Sequence, residues 1–254
     1  MPQAVAHPEQ SPLRKIDQAV IAPRHTRRYR AAAFQTYVLV SAGLFVTLAV
    51  IAHTIAYFPI DLRITLAVQK YHGQAFAQLM YFISWLGFMP QVDFICLGTV
   101  ALLAMLGLRW EAVMAAVAVC GVVLGTLVKL VVIRPRPSAD LVHVFAQLPS
   151  SGFPSGHVLE FTAFAGFLAF LTFTLVKPSV GRNLAMAAFG LLILLMGLSR
   201  IYQGQHWFSD VMGAYLLGSL WLALSIKFYR WGKPKFFVRQ PVAPEVPPAA
   251  TSPA

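Results

Sequence analysis

The chain has 254 residues, of which 58% are apolar and 11% charged, with 19 Phe and a mean hydropathy of +0.67. That balance excludes a disordered chain, a collagen and a disulfide scaffold, and it is too apolar for an ordinary soluble domain. Several apolar runs of about twenty residues instead predict an all-α, polytopic membrane helical bundle, because lipid cannot satisfy a bare backbone donor. The net charge of +11 does not indicate nucleic acid, since the basic residues sit mostly in short segments flanking apolar runs, where they set topology. Cys96 and Cys120 both fall inside apolar runs without metal-ligand spacing and read as small hydrophobes.

In chain order, residues 1–33 form a polar, basic N-terminal segment, followed by an apolar run over 34–58 that is too long for a signal peptide and reads as a retained first span. His53 inside it reads as a hydrogen-bonded core histidine. Residues 61–72 mix apolar side chains with Asp61, Arg63 and Lys70, which suits a segment lying at the interface. The run 76–88 has only thirteen residues, which at about 1.5 Å per residue covers about 20 Å of a core about 30 Å thick, so it reads as a short re-entrant or interfacial helix. Crossing runs follow at 90–108, 112–133, 157–176, 183–198 and 207–227. This divides the chain into the N-terminal segment, a membrane domain over 34–230, and a tail over 231–254 that is basic and then Pro/Ala-rich and disordered.

The distribution of Lys and Arg decides between six spans and seven. With six spans and both termini cytoplasmic, 14 lie inside against 6 outside; letting 76–88 cross gives 10 against 10. Six spans are therefore expected. This topology puts the polar ends of four spans on the extracytoplasmic face.

Three strings occupy those ends. In KLVVIRPRP, Lys129 and Arg136 stand seven apart before Pro137; taken alone, Lys129 equally suits a lysine snorkelling to the interface. In FPSGH, Ser155 stands where an N-cap belongs, Gly156 allows close backbone approach and His157 lies in the first turn, an arrangement that suits either an anion site or an ordinary capped helix. In SRIYQGQHWFSD, His206 and Asp210 at i and i+4 would share a helix face, with the carboxylate taking the Nδ1 proton and leaving Nε2 as a bare lone pair. Singly, Asp210 also suits a helix N-terminus and Arg200 a snorkelling span end. Together on one face, three cations, a helix N-terminus, a serine hydroxyl and two histidines make a cradle for a phosphate dianion with a nucleophile and an acid, and so point to phosphomonoester or pyrophosphate cleavage.

K-x6-RP, PSGH and SR-x5-H-x3-D resemble, in order and without departure, the signature motifs of the type 2 phosphatidic acid phosphatase and vanadium haloperoxidase superfamily, over about residues 108–226. The resemblance implies His206 as the nucleophile of a phosphohistidine, Asp210 as its orienter and His157 as general acid, with Lys129, Arg136, Ser155, Gly156 and Arg200 holding phosphoryl oxygens. It implies a lipid phosphatase of a bacterial plasma membrane with an extracytoplasmic site and no metal or other cofactor. The expected substrate is an amphiphile, because the 138–153 loop is largely apolar and suits contact with lipid. Undecaprenyl pyrophosphate comes first, with phosphatidylglycerophosphate, phosphatidate and lipid A phosphate as alternatives. A lipid phosphotransferase would use the same motifs, and an anion transporter is the rival of another class; six spans argue against a soluble haloperoxidase. Glu160, three residues beyond His157, suits a partner of that histidine, a contact to a headgroup amine or a helix N-terminal acid. Tyr202 and Trp207 read as an aromatic belt, and the sequence sets no oligomeric state.

Overall fold

A computed structural model describes residues 24–236, and these form nine α-helices and no strand. The expectations for the N-terminal segment before residue 24 and for the Pro/Ala-rich tail lie outside the described residues. Helix α1 is Arg24–Thr54, α2 Pro59–Gln69, α3 Gln74–Leu86, α4 Gln91–Met105, α5 Arg109–Val119, α6 Gly121–Val131, α7 Gly156–Leu175, α8 Val180–Tyr202 and α9 Phe208–Phe236. Five units are long and apolar enough to cross a membrane: α1, α5 with α6, α7, α8 and α9. The pair α3 and α4, bent by 60° between them, is the candidate for a sixth. The all-helical, five-to-six-span bundle is the expected fold class.

Several boundaries differ from the sequence reading. The first helix starts at Arg24, ten residues before the apolar run, because the Arg-rich and Ala-rich lead-in has no helix breaker. Helix α4 alone ends at Met105, where Leu106 and Gly107 (φ +78°) turn the chain, and its fifteen residues reach only about 22 Å. It therefore makes a crossing only together with α3. The segment expected at the interface is the short helix α2, whose Asp61 and Thr65 are buried among protein side chains. His53 is exposed rather than a core histidine. Trp207 is 1% exposed, stacked on Tyr57 at 5.1 Å, and thus belongs to the packed interior and not to an interfacial belt.

Helix α7 is the central rod. It packs against α5, α6, α8 and α9, and its buried positions (Val158, Leu159, Phe161, Phe164 and Phe167 among them) run round the helix instead of forming one stripe. In lipid, where apolar burial alone does not drive helices together, close backbone approach supplies the packing. At Gly218 of α9 a Cβ would stand 3.0 Å from the Leu159 carbonyl oxygen and 2.8 Å from Thr162 Cβ, so only glycine permits that crossing. At the end remote from the motifs, Glu111 of α5 accepts from Tyr229 Oη at 2.9 Å and from Lys233 Nζ, both on α9, which ties the two helices together. The result is a rigid frame in which the C-terminal ends of α6 and α8 and the N-terminal ends of α7 and α9 meet.

Candidate active site

Each motif residue stands at a helix end for a local reason. Lys129 is in the last turn of α6, which stops before the two prolines of the irregular segment 132–137; Arg136 follows in that segment. Ser155 is the N-cap of α7 and His157 is in its first turn. Arg200 ends α8, after which Gly204, at φ +62°, turns the chain back to His206. His206 precedes α9, and Asp210 lies in its first turn.

His206 is the centre of the arrangement. Its Nδ1 lies 2.8 Å from the Gly152 carbonyl oxygen and 3.7 Å from Asp210 Oδ2, and its Nε2 lies 3.0 Å from an Arg136 guanidinium nitrogen. The i, i+4 expectation had the carboxylate taking the Nδ1 proton. The Gly152 carbonyl holds that position, because His206 sits before the helix instead of on it. The outcome for the ring is the same tautomer: a carbonyl can only accept, so Nδ1 carries the proton, and guanidinium can only donate, so Nε2 carries the lone pair. Burial, reinforced by the charges of Arg136, Lys129 and Arg200, pushes His206 well below the usual imidazole range. The ring is therefore neutral near pH 7, the state in which an imidazole can act as a nucleophile.

The remaining cations are close by and restrained. Lys129 Nζ donates to the Ser151 carbonyl at 2.7 Å, and Arg136 donates to the Ser150 and Gln205 carbonyls at 2.7 Å each. Arg200, fully buried, donates to Ser84 of α3 and to Gln205, with its guanidinium 5.1 Å from the Phe88 ring centre. His157 packs edge-on against Phe88 at 4.7 Å. Among the atoms buried here without a protein partner are Ser155 Oγ, His157 Nε2, Arg200 Nε and Gln205 Nε2. Ser155 thus occupies the N-cap position without capping, and its hydroxyl remains free for another acceptor. Beyond its own turn of helix, nothing lies within 4 Å of where a Cβ on Gly156 would be. Orphan polar atoms are costly to bury, and their concentration on one cation-rich spot fits a tetrahedral oxyanion.

Glu160 reaches neither His157 nor another charged partner among the described contacts; Cys96 Sγ lies 3.8 Å from its Oε1. The 138–153 loop is only partly turned to lipid. Phe145 is exposed, while Val142 and Phe153 are buried, and Gln69 of α2 pins the loop by donating to the His143 carbonyl and accepting from the His143 N–H.

Residues outside the three strings complete the site, namely Gly152, Ser84, Phe88, Gly87 and Asp61, together with Arg134, which lies within the first string but to which the sequence gives no role. Arg134, two residues before Arg136, is 1% exposed and donates to Asp210 at 2.5 Å and to Asp61 at 2.9 Å. In sequence it is one of two arginines each followed by proline, and nothing local tells the buried one from the cradle one. Asp61 carried a weak signal, a carboxylate in an otherwise amphipathic segment.

The comparisons agree with this picture. A family model described as the PAP2 superfamily matches residues 107–234, half of the chain. Phosphatidylglycerophosphatase B of Bacillus subtilis (strain 168) is 36% identical over 89 residues, which is 34% of this chain and 42% of that protein, so the match spans less than half of that relative. The crystal structure of a transmembrane PAP2-type phosphatidylglycerolphosphate phosphatase from Bacillus subtilis superposes with a TM-score of 0.67 at 25% identity, over 79% of this chain and 98% of that one. The crystal structure of Aquifex aeolicus LpxE shares the fold, with a TM-score of 0.55 at 20% identity over 68% of this chain and 98% of that one. With the three motifs converged in a shared bundle and a family match over the part that carries them, the chain belongs to the PAP2 superfamily.

Proposed function

We propose that this protein is a membrane lipid phosphatase that works through a phosphohistidine on His206 without a metal. The observation that carries the reading is the state of His206: neutral, held through Nδ1 by the Gly152 carbonyl, with the Nε2 lone pair directed at Arg136 and the cation cluster. When a phosphomonoester binds, the Arg136 N–H that faces Nε2 redirects its hydrogen bond to a phosphoryl oxygen, joined by Lys129, Arg200, the Ser155 hydroxyl and the Gly156 N–H. Nε2 then forms a bond to phosphorus in line with the leaving oxygen. That P–O bond breaks with its electron pair, and the oxygen takes a proton from His157. In the second half, neutral His157 takes a proton from water, the water oxygen attacks phosphorus, and the N–P pair returns to His206 as phosphate leaves. Asp210 supports the positive charge that His206 carries while phosphorylated.

The cations do the charge neutralisation that Mg²⁺ performs in other phosphoryl-transfer sites. The catalytic segment is 129–210 within the membrane domain. The positive-inside count supports cytoplasmic termini and an extracytoplasmic site in a bacterial plasma membrane. Among headgroups, phosphatidylglycerophosphate is the first choice, since both the curated relative and the structure with the higher TM-score carry that activity in their names. Undecaprenyl pyrophosphate, favoured by the sequence reading, is the rival headgroup. Purified protein assayed with EDTA against phosphatidylglycerophosphate, phosphatidate, a lipid A phosphate and undecaprenyl pyrophosphate separates these readings through kcat/KM. Phosphate release insensitive to EDTA and highest on phosphatidylglycerophosphate is expected. Loss of turnover on chelation would remove the metal-free mechanism, and preference for the pyrophosphate would reverse the substrate choice.

A further inference from the structure

Beneath the nucleophile lies a fully buried charge network that the phosphoryl-transfer steps do not use directly. Asp61 of α2, Arg134 of the 132–137 segment and Asp210 of α9 have no exposed side-chain surface. One guanidinium serves both carboxylates: Arg134 donates to Asp210 Oδ1 at 2.5 Å and to Asp61 Oδ2 at 2.9 Å, with further bonds to Ser209 Oγ at 2.7 Å and the Ala56 carbonyl at 3.1 Å. Asp61 is itself held by the Ser209 N–H at 2.8 Å, the Ser209 hydroxyl at 2.7 Å and the Phe58 N–H at 3.0 Å. The other Asp210 oxygen, Oδ2, accepts from the Trp207 N–H at 2.9 Å and lies 3.7 Å from His206 Nδ1.

A single arginine beside Asp210 would neutralise it and leave little field at His206. A second carboxylate on that arginine gives the trio a net negative charge, and Asp210 is its member nearest the imidazole. We infer that Asp61 and Arg134 are positioning residues for phosphoryl transfer: Asp61 draws on Arg134, and the balance between them sets how strongly Asp210 stabilises His206 when that ring becomes positive. The inference rests on the phosphohistidine reading of His206.

The groups facing His206 from the surrounding elements are Lys129 from α6, Arg136 from the 132–137 segment, His157 from α7, Arg200 from α8 and Asp210 from α9, with Arg134 reaching it only through Asp210. All but Asp210 are cationic or potentially so, which makes the single carboxylate the natural point of control.

The two partners have opposite signs, and the test uses that. Asp61→Asn keeps the shape and leaves Arg134 wholly to Asp210. It should slow phosphoenzyme formation on the order of 10-fold, as lost outer-shell partners do. It should also lower the acid limb of the kcat–pH profile by about half a pH unit and leave KM within about twofold. Arg134→Gln unmasks Asp210 and should raise the acid limb. A purely structural network would change amount or thermal stability without moving the two limbs in opposite directions. Asp61→Asn decides the matter alone if Arg134→Gln does not fold: an unmoved or raised limb overturns the inference, as does movement of both variants in one direction. His206→Ala is the separate control. If it still turns over, the site assignment fails; if it is inactive while the limbs do not part, only this inference fails.

Discussion

Gly87 lies in no motif, yet it fixes the position of the proposed general acid. A Cβ built on Gly87 would stand 2.2 Å from His157 Cδ2, 3.0 Å from Cγ and 3.2 Å from Nε2. Carbon atoms in contact sit at about 3.5–4.0 Å, so Gly87→Ala requires the ring to move by more than about 1 Å. Phe88 on the same turn, 4.7 Å from the ring, closes one direction of retreat. The backbone raises no objection of its own, because Gly87 has φ −93°, which alanine adopts freely. Displacing a catalytic group by about 1 Å costs on the order of 100-fold in rate, or about 2.7 kcal/mol of transition-state stabilisation. The assay is steady-state release of phosphate from a lipid phosphate, with thermal unfolding in detergent to confirm the fold. Gly98→Ala, on the neighbouring helix with nothing within 4 Å of the new methyl, is the matched control and should leave kcat unchanged. Gly87→Ala with kcat within threefold of the parent, on an intact fold, would refute the placement of His157 as the acid.

Three more outcomes follow from the same geometry. Because burial and three cations depress His206, the acid limb of kcat/KM should lie below the ordinary imidazole value of about 6.5; a limb at or above it in a pH series contradicts a neutral buried nucleophile. The same depression means that the unfolded chain takes up a proton near pH 6.5 that folded His206 refuses, so stability against heat should fall as pH drops through that value. Gly204→Ala combines a left-handed φ of +62° with a Cβ 2.1 Å from the His143 carbonyl oxygen, and should cost at least about 1–2 kcal/mol, read as a lower Tm in detergent.

Much of this protein is legible in its sequence because lipid makes the constraints severe. A chain that must satisfy every backbone group within itself announces its helices through apolar length, and their polar ends stand out. Lys129, Arg136, Ser155, His157, Arg200, His206 and Asp210 were visible for that reason, and the fold brings all of them to one end of the bundle. What remained hidden depends on contacts between distant positions. Arg134 meets Asp61 across 73 residues and Asp210 across 76, and no periodicity carries that information. The partner of His206 Nδ1 was misjudged because the i, i+4 rule presumes a helix at His206. The turn at Gly204 instead delivers the ring from outside α9, where a backbone carbonyl reaches it first. Asp61 looked like an interfacial acid because an amphipathic segment can face lipid headgroups or protein with the same pattern.

Mapping the phosphoenzyme is the most direct measurement. Protein quenched within milliseconds of mixing with a lipid labelled in its terminal phosphate should yield an acid-labile, base-stable label on the peptide containing His206, absent from His206→Ala. Turnover with no label, or a label on any other residue, would contradict the claim that separate helices assemble one phosphoryl-transfer pocket around that ring.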